Sequence, residues 1–127
     1  MAVYLLSAEA TFSAAHTLPG VEVCDRLHGH DWRMRLTVRV EESHMGEDAM
    51  GIDFRVIEDI AKHAVADFDH RYLNDLEPFK NHSPTAERLA QVICTAASRQ
   101  LAADAPHASV EQVELWELPQ YRVVYKP

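Results

Sequence analysis

Several features that mark particular classes of protein are absent from this sequence. It contains only two cysteines, Cys24 and Cys94, so it has no disulfide framework, and each is expected to be a free thiol in a reducing compartment. No apolar run approaches the roughly 20 residues that span a bilayer. The first residues lack the basic-then-apolar pattern of a signal peptide. Together these absences predict a cytoplasmic protein that does not enter a membrane.

Basic residues are also scarce. The chain has 12 lysines and arginines against 20 acidic residues, a formal net charge of −8. Nucleic-acid binders normally present a basic face, so a nucleic-acid partner is not expected. A phosphorylated metabolite remains compatible, because a metal ion and a few local cations can offset an acidic background. The 127 residues show no repeat or linker and predict a single domain, residues 1–127.

Alternation of apolar and polar residues predicts two strands in the first third of the chain. Residues 2–15 place apolar side chains at the even positions, and residues 32–41 do so still more cleanly. The loop between these segments opens with Leu18-Pro19-Gly20. The two segments therefore predict a pair of half-buried, antiparallel strands.

Two helices and a closing hairpin are predicted to follow. Asp53 is placed to cap a first helix with apolar residues at helical spacing, and Ser83-Pro84 is placed to cap and start a second. The segments 110–115 and 121–125 flank a turn and predict a hairpin. The order strand, strand, helix, helix, strand, strand predicts an α+β sandwich with a four-stranded antiparallel sheet and both helices on one face.

Three histidines form the most informative pattern. In His28-Gly29-His30 the two imidazoles lie two residues apart, so on a strand they point to the same face. His16 ends the first predicted strand, and a hairpin would bring it beside His28. Three imidazoles with no obvious fourth protein ligand are typical of a catalytic zinc site with one open position. The alternatives are ordinary histidines, a non-catalytic zinc-binding module and a zinc hydrolase.

Four further residues are candidates for chemistry. Cys24 lies four residues before His28, where a nearby cation would favour its thiolate, although a buried apolar role fits equally. Asp69-His70 offers a carboxylate that can orient an imidazole, or only a histidine that is favoured at a helix C-terminus. Glu117 at a strand end is either a solvated charge or, in a pocket, an acceptor of two parallel N–H bonds.

At this point the sequence resembles the 6-pyruvoyltetrahydropterin synthase family, and within it the bacterial 6-carboxytetrahydropterin synthase branch of queuosine and deazapurine synthesis. The similar segments follow the family's order along almost the whole chain. They are Phe12-Ser13-Ala14-Ala15-His16, Cys24-Asp25-Arg26-Leu27-His28-Gly29-His30, Gly51-Ile52-Asp53-Phe54, Asp69-His70-Arg71-Tyr72-Leu73-Asn74, Pro84-Thr85-Ala86-Glu87 and Glu117. The lead-in Asn81-His82-Ser83 departs from the family's pattern.

The resemblance implies a fold and a set of residue roles. The fold would be the tunnelling fold, in which the sheets of several subunits join into a barrel, commonly as a dimer of trimers. His16, His28 and His30 would hold Zn²⁺. Cys24 would accept a proton, Asp69 and His70 of a neighbouring subunit would complete a relay, and Glu117 would anchor the pterin ring.

The resemblance also implies a lyase reaction on a small-molecule pterin triphosphate. In the carboxy branch, 7,8-dihydroneopterin triphosphate becomes 6-carboxy-5,6,7,8-tetrahydropterin with loss of acetaldehyde and triphosphate. The alternative pyruvoyl branch eliminates triphosphate and keeps the three-carbon side chain. The spacing of Cys24 from His28 fits the carboxy branch, and Asp25 stands where a third, folate-linked branch has glutamate in or near the cysteine's place.

Overall fold

The computed structural model describes residues 1–127 and contains a sheet of five strands and two α-helices. Their order agrees with the predicted one except for a short additional strand after the first helix. The elements are β1 (Val3–His16), β2 (His28–Glu41), α1 (Phe54–Ala66), β3 (Arg71–Tyr72), α2 (Ala86–Asp104), β4 (Ala108–Leu118) and β5 (Tyr121–Tyr125). Neither helix is both long and apolar enough to cross a bilayer.

The sheet has the order β3-β1-β2-β4-β5 and is mixed. The prediction of a purely antiparallel, four-stranded sheet is therefore wrong in one respect. β3 is parallel to β1 and pairs only with Ala14 and Ala15, at the end of β1 that carries His16. A two-residue strand is too short to show an alternating pattern, so no periodicity in the sequence predicts it.

One face of the sheet forms the core with the helices. The even positions of β2 from Trp32 to Val40 are buried, and they pack with apolar residues of α1 and α2, which contact β1 and β4. The odd positions carry Arg33 and Arg35, which form ion pairs with Glu9 on the opposite face. The α+β class and the amphipathic strands are as predicted.

Both helix starts are stabilised by side-chain caps, one of which differs from the prediction. Asp53 accepts a hydrogen bond from the Arg55 N–H and caps α1 as predicted. Thr85, not Ser83, caps α2 by accepting a hydrogen bond from the Arg88 N–H at 3.1 Å. Pro84 consequently precedes the helix, and its free carbonyl is available to the site described below.

Candidate metal centre

The β1–β2 hairpin brings the three predicted histidines together. His16 lies directly opposite His28 in the register, and His30 lies opposite Ala14. The ring centroids are 4.5 Å apart for His16 and His28, 5.3 Å for His16 and His30, and 4.9 Å for His28 and His30. The pairing runs without a bulge from Val3 to His16, so the side-chain parity predicted from the sequence is preserved.

Backbone carbonyls orient two of these rings. The Nδ1–H of His16 donates to the Pro84 carbonyl at 2.8 Å, and that of His28 donates to the Arg26 carbonyl at 2.7 Å. A carbonyl can only accept, so each Nδ1 carries the proton and each Nε2 presents a lone pair. This is the arrangement by which outer-shell groups prepare imidazoles for a metal.

Burial favours the neutral form of two of the rings, those of His16 and His30. His16 is fully buried and contacts the indole of Trp32, whose ring centroid lies 5.4 Å away. Burial lowers the pKa of His16 and of His30, and the neighbouring imidazoles act in the same direction. Neutral imidazoles are the form that binds metals, so the fold already selects the state that coordination needs.

Glu117 completes the cluster. Its Oε1 lies 3.0 Å from Nε2 of His30 and 3.2 Å from Nε2 of His16, and the ligand atoms of His16, His28, His30 and Glu117 all lie within 4.8 Å of one another. Glu117 is therefore a possible fourth ligand, which the sequence pattern alone did not indicate. Glu117 follows the last β4 residue that pairs with β2, and it continues the alternation of Val113 and Leu115, so its side chain lies on the sheet face that carries the histidines.

This donor set fits a divalent cation. The Nε2 atoms of His16 and His30 are buried and make no hydrogen bond, although a carboxylate oxygen is close to both. A cation between them would be bound by the imidazole nitrogens and by the carboxylate together. The cluster is accordingly a candidate metal site.

Asp69 and His70 lie on the segment that connects α1 to β3, next to the end of β1. Oδ1 of Asp69 accepts a hydrogen bond from the Ser13 N–H at 2.9 Å and lies 3.0 Å from Nδ1 of His70. The Ser13 N–H and then His70 lower the pKa of Asp69, so its carboxylate stays ionised in the neutral range. His70 and His30 line the same cavity of about 480 Å³. Ser13 positions Asp69 through its backbone N–H, and no side-chain pattern in the sequence indicates this role.

His70 and Cys24 are candidate groups that lie outside the metal cluster. His70 is 82 % exposed and has a φ of +58°, an unusual conformation for a residue other than glycine. Cys24 is half-buried in the β1–β2 loop and follows Val23, whose φ is +69°. Neither Cys24 nor His70 belongs to the four-residue cluster. Strained backbone of this kind concentrates at functional sites.

Solved structures share this fold. A 6-pyruvoyl tetrahydropterin synthase from Caenorhabditis elegans superposes with a TM-score of 0.85, covering 100% of this chain and 97% of that one at 22% identity. The corresponding enzyme of Plasmodium falciparum superposes with a TM-score of 0.76 at 18% identity, covering 98% of each chain. At these identities the comparison establishes the architecture, which is the tunnelling fold.

Sequence comparison carries the relationship further. A Synechocystis protein named 6-carboxy-5,6,7,8-tetrahydropterin synthase is 37% identical over 92 residues, which are 69% of this chain and 70% of that one. A protein of Archaeoglobus fulgidus, provisionally given the same name, is 31% identical over 85 residues, 67% of this chain and 68% of its own. The model of the 6-pyruvoyl tetrahydropterin synthase family matches residues 5–127. This chain therefore belongs to the 6-pyruvoyl tetrahydropterin synthase family.

Proposed function

We propose that the protein is a zinc-dependent 6-carboxytetrahydropterin synthase. It converts 7,8-dihydroneopterin triphosphate and water to 6-carboxy-5,6,7,8-tetrahydropterin, acetaldehyde and triphosphate, in the cytoplasmic synthesis of queuosine and related deazapurines. The observation that carries this proposal is the cluster of three imidazoles beside Glu117, in a chain whose curated relatives bear that enzyme's name.

Zinc is the metal we propose for the cluster. Three imidazoles and one carboxylate suit Zn²⁺, which favours nitrogen and oxygen donors in four-coordinate sites. When bound, the ion supplies Lewis acidity that makes the C–H and O–H groups of the substrate side chain more acidic. The buried His16 and its carbonyl partner fix one donor, and the hairpin register fixes the other two.

Glu117 is the proposed anchor for the pterin ring. It lines a recess of about 350 Å³ between the start of α2 and the β4–β5 hairpin, together with Glu87 and Arg122. Its carboxylate can accept two parallel hydrogen bonds from the N–H and NH₂ edge of a pterin. Glu117 also borders the imidazole cluster, so a pterin in this recess lies close to the metal centre, and positioning of a substrate contributes several kcal/mol.

Cys24, Asp69 and His70 are the proposed proton-transfer groups. Cys24 lies in the loop between the two strands that carry the histidines, and its thiolate is assigned the removal of a proton from the substrate side chain. His70 returns a proton, and Asp69, held by the Ser13 N–H, orients its imidazole. Hydrogens thus move from the side chain to the ring, and no external reductant is needed.

We also propose a homo-oligomer in which sheets of neighbouring subunits join, as a dimer of trimers. β1 pairs with β3 only at Ala14 and Ala15, which leaves its outer edge open along the rest of the strand, and β5 ends the sheet on the other side. Exposed Tyr4 and Leu5 lie on the first edge strand, and Tyr121 lies on the second. Two unpaired sheet edges with apolar side chains favour pairing between the sheets of neighbouring subunits.

The experiment that tests the function is product analysis by mass spectrometry. Zinc-loaded protein is incubated with 7,8-dihydroneopterin triphosphate, and both the pterin and the volatile products are measured. Release of acetaldehyde with equimolar 6-carboxytetrahydropterin supports the proposal. A pterin that keeps its three-carbon side chain supports the pyruvoyl reaction instead, and loss of phosphate alone supports a hydrolase.

A further inference from the structure

Glu117 has no partner in the strand pairing of the sheet. The β2–β4 register ends at Trp116, and the β4–β5 register passes from Trp116 directly to Leu118. Glu117 lies between these residues and is paired on neither side. Its position therefore depends on the residues beside it in the chain, of which Trp116 is the last in β4 that pairs with both neighbouring strands.

The side chain of Trp116 lies on the sheet face that carries Arg33 and Arg35, opposite to the histidines. Three guanidinium groups surround its indole. The Cζ atom of Arg33 lies 4.2 Å from the ring centroid, that of Arg35 lies 5.2 Å away and that of Arg122 lies 5.8 Å away. Cations within about 6 Å of an aromatic ring are attracted to its face, and tryptophan binds them best. Because Arg33 and Arg122 are also the register partners of Trp116, the end of β4 is joined to both neighbouring strands through side chains as well as through the backbone.

Two carboxylates hold these guanidinium groups in place. Glu9 accepts hydrogen bonds from Nε and Nη2 of Arg33 at 2.8 and 2.9 Å and from Nε of Arg35 at 2.9 Å. Glu114 accepts one from Nη1 of Arg35 at 3.0 Å, and its Oε1 lies 3.8 Å from Nη1 of Arg122. Charge-assisted bonds of this kind fix the planes of guanidinium groups. The indole is therefore received by arginines that other groups already orient.

We infer that Trp116 is a positioning residue: the guanidinium groups that stack on its indole hold the end of β4 and thereby direct the Glu117 carboxylate into the recess proposed for the pterin. Successive side chains of a strand point to opposite faces, so fixing Trp116 on one face fixes Glu117 on the other. Trp116 belongs neither to the metal cluster nor to the lining of the recess. Its effect on pterin binding rests on the proposed function, whereas its effect on the position of Glu117 concerns the fold alone.

The core of the sheet does not depend on this contact. Val113 and Leu115, which precede Trp116 in β4, are fully buried and pair with both β2 and β5. Loss of the indole consequently leaves the packing of β4 in place and frees only its last residues. Misplacement of a reacting group by about 1 Å is enough to lower a rate substantially, so a local change at Glu117 should be measurable.

Substitution of Trp116 tests the inference. Trp116→Leu keeps an apolar side chain but removes the aromatic face, and Trp116→Phe keeps an aromatic face. Zinc-loaded Trp116→Leu should bind unsubstituted pterin at least about tenfold more weakly than the unchanged protein, which is the effect of losing a hydrogen bond to a charged group. Trp116→Phe should recover most of this affinity, and both variants should keep their zinc, since the three imidazoles are unchanged.

Two measurements are made on each variant. Fluorescence titration with pterin gives the affinity, and a crystal structure gives the position of the Glu117 carboxylate, which should be displaced in Trp116→Leu and retained in Trp116→Phe. Tyr125→Leu is the matched control, because it removes an aromatic side chain from the other end of the β4–β5 hairpin, opposite Val113. Its pterin affinity should equal that of the unchanged protein.

The outcomes separate this inference from the proposed function. Undiminished pterin binding in Trp116→Leu, or an equal loss in Tyr125→Leu, would overturn the inference, and a loss that Trp116→Phe does not recover would overturn the role of the stacked guanidinium groups. If the unchanged protein binds no pterin and releases no acetaldehyde, the proposed function is wrong, and the crystal structures decide the inference. A Glu117 carboxylate that stays in place in Trp116→Leu would then overturn it, whereas displacement in that variant and not in Trp116→Phe would support it.

Discussion

His16 lies directly opposite His28 in the β1–β2 register, and their ring centroids are 4.5 Å apart. Side chains on paired strands alternate between faces, so a slip of one residue would send one of these imidazoles to the opposite face of the sheet. The buried even positions of β2 hold this register, because slippage would expose Trp32 and Met34. The geometry of the candidate metal site is therefore set by the same apolar pattern that folds the sheet.

The first prediction concerns this site. His28→Ala removes one of the three imidazoles, so we expect the purified protein to hold much less zinc and to lose turnover. A metal at a hundredfold excess over its dissociation constant stabilises the folded state by about 2.7 kcal/mol. Chelation should lower the melting temperature of the unchanged protein and have little effect on the variant. His44→Ala, on an exposed turn beyond β2, is the control, and equal zinc contents in the two variants would contradict the assignment.

Much of this architecture could be predicted because it depends on period-two patterns. The alternation along β1 and β2 predicts that His16, His28 and His30 share one face, and the hairpin register confirms that geometry. Asp53 gave a similarly local signal for the start of α1. Such features follow from side chains that are neighbours in the sequence or in one hairpin.

The remaining features depend on contacts without a local pattern. The approach of Glu117 to the histidines depends on the β2–β4 register, which pairs strands that are far apart in the sequence. The Pro84 carbonyl and the Ser13 N–H are backbone groups that every sequence has, so only the fold identifies their roles. The short β3 strand and the Thr85 cap are likewise set by tertiary packing.

The second prediction tests the start of α2. Thr85→Ala removes the side chain that accepts the Arg88 N–H, and loss of such a cap costs about 1 kcal/mol. Ser83→Ala changes an exposed residue outside the helix and should have almost no effect. Urea denaturation of both variants measures the difference. A larger loss in Ser83→Ala would restore Ser83 as the cap.

The third prediction is a pH dependence of stability. Hydrogen bonds from Arg33 and Arg35 lower the pKa of Glu9 from 4.5 to about 2. A depressed pKa means that this stabilisation is complete above the unfolded value of 4.5 and is lost as the pH falls toward about 2. Glu9→Gln should cost no more than about 1 kcal/mol near neutral pH, because the pairs are partly exposed and screened.

This dependence is measured by urea denaturation at neutral pH and again in acid. Both Glu9→Gln and the unchanged protein are denatured under each condition. The difference in unfolding free energy should shrink in acid and in high salt. Glu47→Gln, on an exposed loop without an ion pair, is the control. A difference that stays constant with pH would show that Glu9 contributes through something other than its charge.

The fourth prediction concerns Asp69. Asp69→Asn retains an oxygen for the Ser13 N–H but removes the charge beside His70, so turnover should fall by about a hundredfold, as expected for loss of proton-transfer catalysis. Zinc content should not change, because Asp69 lies outside the metal cluster. The lowered pKa of Asp69 also means that the unchanged enzyme shows no loss of activity from its protonation above about pH 5. Asp67→Asn, at the exposed end of α1, is the control. Activity of Asp69→Asn equal to that of this control would show that Asp69 has no role in the relay.

The fifth prediction separates the two cysteines. Cys94 is 2 % exposed within α2, and burial raises the pKa of its thiol, whereas Cys24 is half-buried in a loop. Iodoacetamide should therefore modify Cys24 in the folded protein and leave Cys94 unmodified, because only an accessible thiolate reacts. Cys24→Ala should lower turnover by at least about a hundredfold with normal zinc content, since it removes the proposed proton acceptor. Cys94→Ala should keep its turnover and lose about 1 kcal/mol of stability from the core. If Cys24→Ala retains nearly full activity while labelling follows the expected pattern, another group removes the proton and the Cys24 thiol has no part in the reaction.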